Sequence, residues 1–228
     1  MSVTEYEIFH FGEESLLIQV QQKPSDILLN WLLDCCDVIR LRYNVEVVHT
    51  YNEILIKNIS NGKLILIKNK LPELLSSQIN SKESKSILHR IPVCYETAFA
   101  KDIEAYTTAL GLTRSEVIHL HTSVTYTVYF MGFLPGFPYL EGLDSRLHLE
   151  RKATPDRKIV KGSIAIGGSQ TGIYPQESPG GWHCIGQTPI SLYNTSKQPP
   201  TVINAGDRVI FYEITSKEFE AFKNQIEY

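Results

Sequence analysis

The sequence predicts a small α+β domain followed by a larger, mainly β domain of barrel or sandwich type. Three observations carry this expectation. Before residue 80, apolar segments of strand length alternate with two segments of helical period. The stretch Ser81-Lys82-Glu83-Ser84-Lys85-Ser86 is polar and has no large apolar anchor, which places a boundary between domains at 1–82 and 87–228. Beyond it come many short β-branched and aromatic segments punctuated by glycine and proline, the pattern of closed or sandwiched sheets.

In the first domain, Tyr6–Phe11 and Ser15–Val20 read as strands joined by a turn at Gly12. Pro24-Ser25-Asp26 then opens a helix whose Ile27, Leu28, Trp31, Leu32, Cys35 and Cys36 recur at helical spacing and predict one buried face. Val45–Val48, Glu53–Lys57 and Lys63–Lys68 read as strands rich in Ile, Leu and Val. Leu71–Ile79 reads as a short helix with Pro72 in its first turn, where a missing amide costs nothing.

In the second domain, Ile87–Cys94 reads as a strand and Lys101–Leu110 as a helix ended by Gly111. Thr113-Arg114-Ser115-Glu116 has the spacing of a capping box: the Thr113 hydroxyl accepts from the amide three residues on, and Glu116 reaches back. Val124–Met131 is the next strand. Shorter strand candidates follow at Ser163–Ile166, Trp182–Ile185 and Pro189–Tyr193, and a longer one at Asp207–Ile214. Thr215-Ser216-Lys217-Glu218 is a second capping box, opening a helix to about Asn224. From Gly132 to Trp182, glycine and proline are dense and interleaved with aromatics, which predicts rigid shaped loops of the kind that build binding surfaces.

Composition excludes several classes. A net charge of −3 gives no electrostatic pull toward nucleic acid or an anionic membrane. The acidic start (Glu5, Glu7, Glu13, Glu14) is unlike a secretion signal, no apolar run approaches a membrane span, and the cytoplasm is the expected location. The four cysteines, Cys35, Cys36, Cys94 and Cys184, form no C-x-x-C pair and read as reduced, buried thiols. No Gly-Lys-Ser/Thr follows Gly162, Gly167, Gly168 and Gly172, so the Walker loop is absent. Gly168-Ser169-Gln170-Thr171-Gly172 lacks the glycine two residues after serine that a nucleophile elbow needs. His119 and His121 have no third ligand at a recognisable spacing, so no metal site is expected.

The chemistry-bearing candidates are few. His121, beside Thr122 and Ser123 between a helix and a strand, has the ordinary pKa of a general acid or base; a hydrogen-bonded structural histidine is the competing reading. Glu177, flanked by Pro175 and Pro179, is a base if its loop faces a groove and a solvated charge if it faces water. Tyr139, Tyr174 and Trp182 have the makings of an apolar platform with polar tips, and Arg151, Lys152, Arg157, Lys158 and Lys161 form a basic run suited to an anionic ligand.

Longer motifs then bear a family resemblance. His119–Ser123, Gly132–Leu140, Gly172–Pro175, Ser178–Trp182, Ile185–Pro189 and Gly206–Val209, in this order, resemble the allophanate hydrolase subunit 1 family, densely from about Ile91 to Glu213 and faintly before residue 86. That family includes components of ATP-dependent 5-oxoprolinases and inhibitors of a sporulation histidine kinase. The resemblance implies a cyclophilin-like barrel after the α+β domain. It implies ATP used by a complex in which it does not identify the nucleotide-binding member. It also implies two partners: a homologous second cyclophilin-like subunit, the C component, and a third subunit, the A component. A histidine kinase is the alternative partner, and an allophanate or other amide hydrolase the alternative setting. The catalytic candidates are His121 and Glu177. The substrate- or partner-binding candidates are Pro135, Gly136, Phe137, Pro138, Tyr139, Arg157, Gln170, Thr171, Tyr174, Gly180, Gly181 and Trp182. Glu150, Asp156, Ala165 and Gly167 depart from the family pattern.

Overall fold

A computed structural model describes residues 5–60, 62–76 and 86–226. The chain divides into two units, residues 1–85 and 86–228. The predicted linker, apart from Ser86, lies outside the described residues, as does the predicted helix end at Ile79.

The first unit is a four-stranded antiparallel sheet with two helices. Strands β1 (Tyr6–His10), β2 (Leu16–Val20), β3 (Glu46–His49) and β4 (Glu53–Lys57) lie in the order β1-β2-β4-β3. On β2 alternate residues Leu16, Ile18 and Val20 are fully buried, as a half-buried strand requires. Helix α1 (Asp26–Tyr43) starts where Ser25 Oγ accepts from Leu28 N and stops at Asn44 in a left-handed conformation. Its buried stripe is Leu28, Trp31, Leu32, Cys35, Cys36 and Ile39, packed on β3 and β4. Ile27, predicted on that face, is exposed, because one residue ahead of Leu28 it turns off the stripe.

Helix α2 (Leu64–Ser76) overturns two expectations. The segment 63–68 is not a strand, and Pro72 stands inside the helix rather than in its first turn. The run Leu64-Ile65-Leu66-Ile67 fits either period, so it decides nothing by itself. The longer pattern decides: Ile67, Leu71, Leu74 and Leu75 are buried at helical spacing, while Ile65 and Leu66 are more than half exposed. Pro72 removes one amide from the ladder, and the tertiary burial of four aliphatic side chains, each contributing about 1.5–3 kcal/mol, outweighs it.

The second unit is built on a closed barrel. Its strands are β5 (Leu88–Cys94), β6 (Tyr126–Met131), β7 (Pro138–Glu141), β9 (Ser163–Gly167), β10 (Gln170–Ile173), β12 (His183–Gln187) and β13 (Arg208–Ile214). They follow one another around the barrel in the order β10-β7-β6-β13-β5-β12-β9. All neighbours are antiparallel except β13 and β5, which run parallel over seven positions from Arg208↔Leu88 to Ile214↔Cys94. Closure leaves the barrel no free edge. Strands β8 (Asp156–Ile159) and β11 (Ser178–Gly180) form a separate two-stranded sheet. Helices α3 (Ile103–Leu110), α4 (Arg114–Thr122) and α5 (Ser216–Ile226) complete the unit.

Alternation along β9 separates two apolar clusters. Ile164 and Ile166 join the main core with Val93, Val128, Leu140, Ile173, Ile185 and Phe211. Ala165 between them faces a second cluster of Phe137, Ile159, Tyr174, Trp182 and Cys184.

Two further expectations change. Beyond the expected strand at Ser163–Ile166, more of the glycine- and proline-rich segment is sheet, since β7, β8, β10 and β11 all fall within it. Gly172 sits in β10 because a Cβ there would stand 2.8 Å from the Phe137 ring and from Pro138 O, so close approach selects it rather than a turn. Residues 189–193 are irregular apart from one bridge, Tyr193↔Thr201; Pro189 cannot donate to a ladder and ends the pairing after β12.

The capping box at Thr113 forms: Thr113 Oγ1 accepts from Glu116 N at 3.2 Å and Thr113 N donates to Glu116 Oε2 at 2.7 Å. Thr113→Ala is expected to lower the stability of this unit by about 1 kcal/mol, read as a shifted urea midpoint with an unchanged slope.

Candidate functional site

The second cluster opens onto a cleft of about 290 Å³ in the barrel unit. Phe137, Tyr139, Tyr174 and Trp182 form its wall, Gly180, Gly181, Pro179 and Pro155 its second side, and Phe133, Arg151 and Lys152 its mouth. The wall is an edge-to-face assembly. Phe137 meets Tyr174 at 5.2 Å and 87°, and Trp182 at 5.5 Å and 82°. Such geometry fixes each ring against its neighbour's positive edge.

Backbone constraints hold the mouth. Leu134 N donates to Gly132 O at 2.7 Å across a γ-turn, which keeps Phe133 at φ 63°. A left-handed phenylalanine is costly, by about 1–3 kcal/mol, and such strain concentrates at binding sites. Phe133 remains 61% exposed and touches the rings of Phe137 and Tyr174 edge-on.

The cations differ sharply. Lys152 Nζ donates to Asp102 Oδ2 at 2.9 Å and also to Asp156, which pairs with Lys101 at 2.7 Å. Burial alone would lower the Lys152 pKa, but its bonds to Asp156 and Asp102 outweigh that and raise it above the ordinary lysine value. Asp156, a departure from the family pattern, is therefore a structural anchor. Asp102 also accepts from Cys184 N at 2.8 Å, tying the network to β12. Arg151 has no carboxylate partner among the described residues. Its guanidinium lies over Trp182 at 5.6 Å and reaches Gln170 Oε1 at 3.4 Å.

His121 lies elsewhere. It is fully buried at the end of α4, with Nδ1 2.8 Å from the Tyr95 hydroxyl and Nε2 3.3 Å from Thr171 Oγ1. Thr171 Oγ1 donates to Ala165 O at 3.1 Å, so it accepts from Nε2–H, and Nδ1 accepts from Tyr95. A neutral imidazole satisfies every atom of this chain of bonds, and burial lowers its pKa to about 3. His121 lines no part of the cleft, and its bonds are those of a hydrogen-bonded core histidine, the second of the two readings open in the sequence. His119, two residues back on the helix, is exposed and diverges from it. Among the described residues no cluster of three or more His, Cys, Asp or Glu is placed to hold a metal.

The remaining candidates divide. The cleft gathers Phe137, Tyr139, Tyr174, Gly180, Gly181 and Trp182. Gln170 touches Arg151 at the rim. Thr171 is wholly buried beside His121; Gly136 and Pro138 are buried, and Pro135 is exposed outside the cleft lining. Glu177 is exposed and pairs with Lys158 at 2.7 Å, and Arg157 is exposed, so neither faces the cleft. Phe133, Pro155 and Pro179 were absent from the site candidates, and Arg151 and Lys152 stood out only as two of five basic residues.

The four cysteines are free and buried. Burial pushes the Cys184 thiol up to about 12, so it is no thiolate nucleophile at neutral pH. His183 Nε2 bonds Glu150 O at 2.8 Å. A second cavity of about 330 Å³, lined by residues including Thr188, Phe219 and Lys223, takes only Lys161 of the basic run from among the sequence candidates. No helix among the described residues is long and apolar enough to cross a membrane. The cleft thus offers flat apolar walls, tyrosine hydroxyls and one guanidinium uncompensated among the described residues. Its lining holds no carboxylate, histidine or thiolate to act as a base.

Known proteins are similar to this chain in sequence or in fold. The family described as carboxyltransferase domain, subdomain C and D, matches residues 6–203. The chain is 40% identical over 159 residues to the 5-oxoprolinase B component of Bacillus subtilis, a match covering 70% of this chain and 66% of that one. It is 43% identical over 129 residues to the 5-oxoprolinase B component of Escherichia coli, covering 57% of this chain and 59% of the relative. The urea carboxylase of Kluyveromyces lactis has the same fold, with a TM-score of 0.78 at 18% identity over 96% of this chain and 23% of that one. The chain spans less than two thirds of the length of each of these curated relatives.

Proposed function

The chain belongs to the family of carboxyltransferase domains comprising subdomains C and D, and from that membership we propose that it is the B component of a multi-subunit, ATP-dependent 5-oxoprolinase. The complex opens the lactam of 5-oxo-L-proline to L-glutamate as ATP is hydrolysed. The likeness to two relatives of that name carries this reading. The partners are the homologous C component and the A component, and the setting is the cytoplasm. In this reading residues 1–82 are a separate α+β domain and residues 87–228 a cyclophilin-like barrel domain. Kinase inhibition or allophanate hydrolysis has no support of equal strength, since the relatives at 40–45% identity carry the 5-oxoprolinase name.

The chemistry explains a division of labour. Amide resonance makes a lactam carbonyl a poor electrophile. Transfer of a phosphoryl group to its oxygen activates the carbon toward water. The adduct then expels the ring nitrogen as the amine, breaking the C–N bond, and hydrolysis of the acyl phosphate so formed releases phosphate and the new carboxylate. Negative charge developing there needs fixed donors or cations. Arg157 and Lys158 are poorly placed for this, one exposed outside the cleft lining and the other paired with Glu177; Arg151 is better placed. A cleft that binds but holds no base suits a component whose partners supply the nucleotide and the proton acceptor.

The purified chain alone is therefore expected to release no glutamate from 5-oxo-L-proline and ATP, whereas the chain with both partners does so in proportion to ATP consumed. Turnover by the lone chain would overturn the shared-site reading, and an inactive full assembly would overturn the enzyme assignment.

A further inference from the structure

Three groups in the aromatic cleft have unused binding capacity. Arg151 has no carboxylate partner among the described residues, whereas its neighbour Lys152 is held by two. Tyr174 is 1% exposed, lines the cleft, and its hydroxyl makes no hydrogen bond among the described residues. A hydroxyl at the cleft surface with no acceptor among the described residues is free to donate to a ligand that enters. The Tyr139 hydroxyl, at the same wall, is likewise unbonded among the described residues.

Resting on the function proposed above, we propose that this cleft is the 5-oxo-L-proline pocket of the complex, with Arg151 holding the carboxylate and the Tyr174 hydroxyl donating to the ring carbonyl. The complementarity is specific. A guanidinium fork accepts a carboxylate in two parallel bonds. The flat ring and its methylenes lie against the wall of Phe137, Tyr139 and Trp182, where edge-to-face packing of the first two on Trp182 has already fixed the rings and little ordering remains to be done on binding. Burial raises the Tyr174 pKa, so the hydroxyl keeps its proton at neutral pH and can only donate to a carbonyl or accept from an N–H. Having one unpaired cation in its lining, the cleft also separates substrate from product. L-Glutamate carries a second carboxylate, which the cleft leaves unpaired, so the opened product is held less tightly and leaves.

The test is calorimetric titration of 5-oxo-L-proline, 2-pyrrolidone (the same ring without the carboxylate) and L-glutamate into the full chain and into the three-component complex. The wild type is expected to bind 5-oxo-L-proline at least about tenfold tighter than either other compound. Arg151→Met keeps the apolar stem and is expected to lose about tenfold or more for 5-oxo-L-proline while leaving 2-pyrrolidone unchanged. Tyr174→Phe weakens both ring compounds. In the complex, Arg151→Met raises KM more than it lowers kcat, with an unchanged melting temperature. Wild-type affinity and KM in Arg151→Met, equal binding of 2-pyrrolidone and 5-oxo-L-proline, or no saturable binding to chain and complex would each overturn the pocket. The two proposals fail separately. An active complex indifferent to Arg151→Met rejects the pocket and keeps the enzyme, whereas selective binding without ATP-dependent glutamate release rejects the enzyme and keeps the pocket.

Discussion

His121→Ala is expected to destabilise the barrel unit by about 3 kcal/mol, within the range of about 2–5 for emptying a buried site and stranding its partners. The imidazole stacks on Phe211 at 4.6 Å and closes a bonded chain from Tyr95 to Ala165 O. Alanine leaves the Tyr95 hydroxyl without its acceptor and a void against Phe211. Urea unfolding of the chain measures the loss. Because His121 is absent from the cleft lining, whatever fraction stays folded at low temperature should turn over with near wild-type kcat in the complex. A large kcat loss in fully folded protein would restore a catalytic role. The same residue predicts a pH dependence. Above pH 6.5 the imidazole is neutral folded and unfolded, and it contributes no slope. As pH falls below 6.5, the unfolded chain takes a proton that the folded chain refuses until about pH 3. Stability then falls with decreasing pH by up to about 1.4 kcal/mol per unit from this group. His121→Ala lacks that contribution, so its stability should decline less steeply than the wild type across this window. Equal slopes would show that the histidine is not the group titrating.

Local signals made much of this fold legible. Ser25 and Thr113 announced their helices because a cap is a contact within three residues, and the sequence contains both partners. The strands β4 and β6 followed from β-branched runs. Helix α2 was hidden by a Leu-Ile-Leu-Ile run that satisfies both periods, and only the later stripe through Leu71 and Leu75 distinguishes them. For the site, glycine and proline density among aromatics located Tyr139, Tyr174, Gly180 and Trp182, because close ring packing demands small residues nearby. Charge allocation was not legible. Arg151 and Lys152 are adjacent in the sequence, and what separates their roles is Asp102, fifty positions away, which neutralises one and not the other. The surroundings of His121 were not legible for a related reason: the Thr171 hydroxyl that it bonds lies fifty residues later in the chain.

Gly180→Ala is expected to close the cleft. A Cβ at this position would stand 2.3 Å from the Tyr174 hydroxyl oxygen and 2.6 Å from Ile159 Cδ1. Neither neighbour is free to retreat. Ile159 is fully buried opposite β11, and the Tyr174 ring is held edge-on by Phe137. The strain must move the tyrosine ring or part β11 from β8, a change of the kind that costs about 1–3 kcal/mol in a packed interior. Either displacement disturbs the hydroxyl assigned to the ring carbonyl, so 5-oxo-L-proline binding should fall by about tenfold or more along with the melting temperature. The cause can be isolated by a double-mutant cycle with Tyr174→Phe. Removing the hydroxyl deletes the closer clash, so Gly180→Ala should cost clearly less in the Tyr174→Phe background than in the wild type, a coupling of about 0.5 kcal/mol or more. Simple additivity of the two changes would place the strain at Ile159 instead, and with it the lost binding in the β8–β11 sheet rather than in the tyrosine.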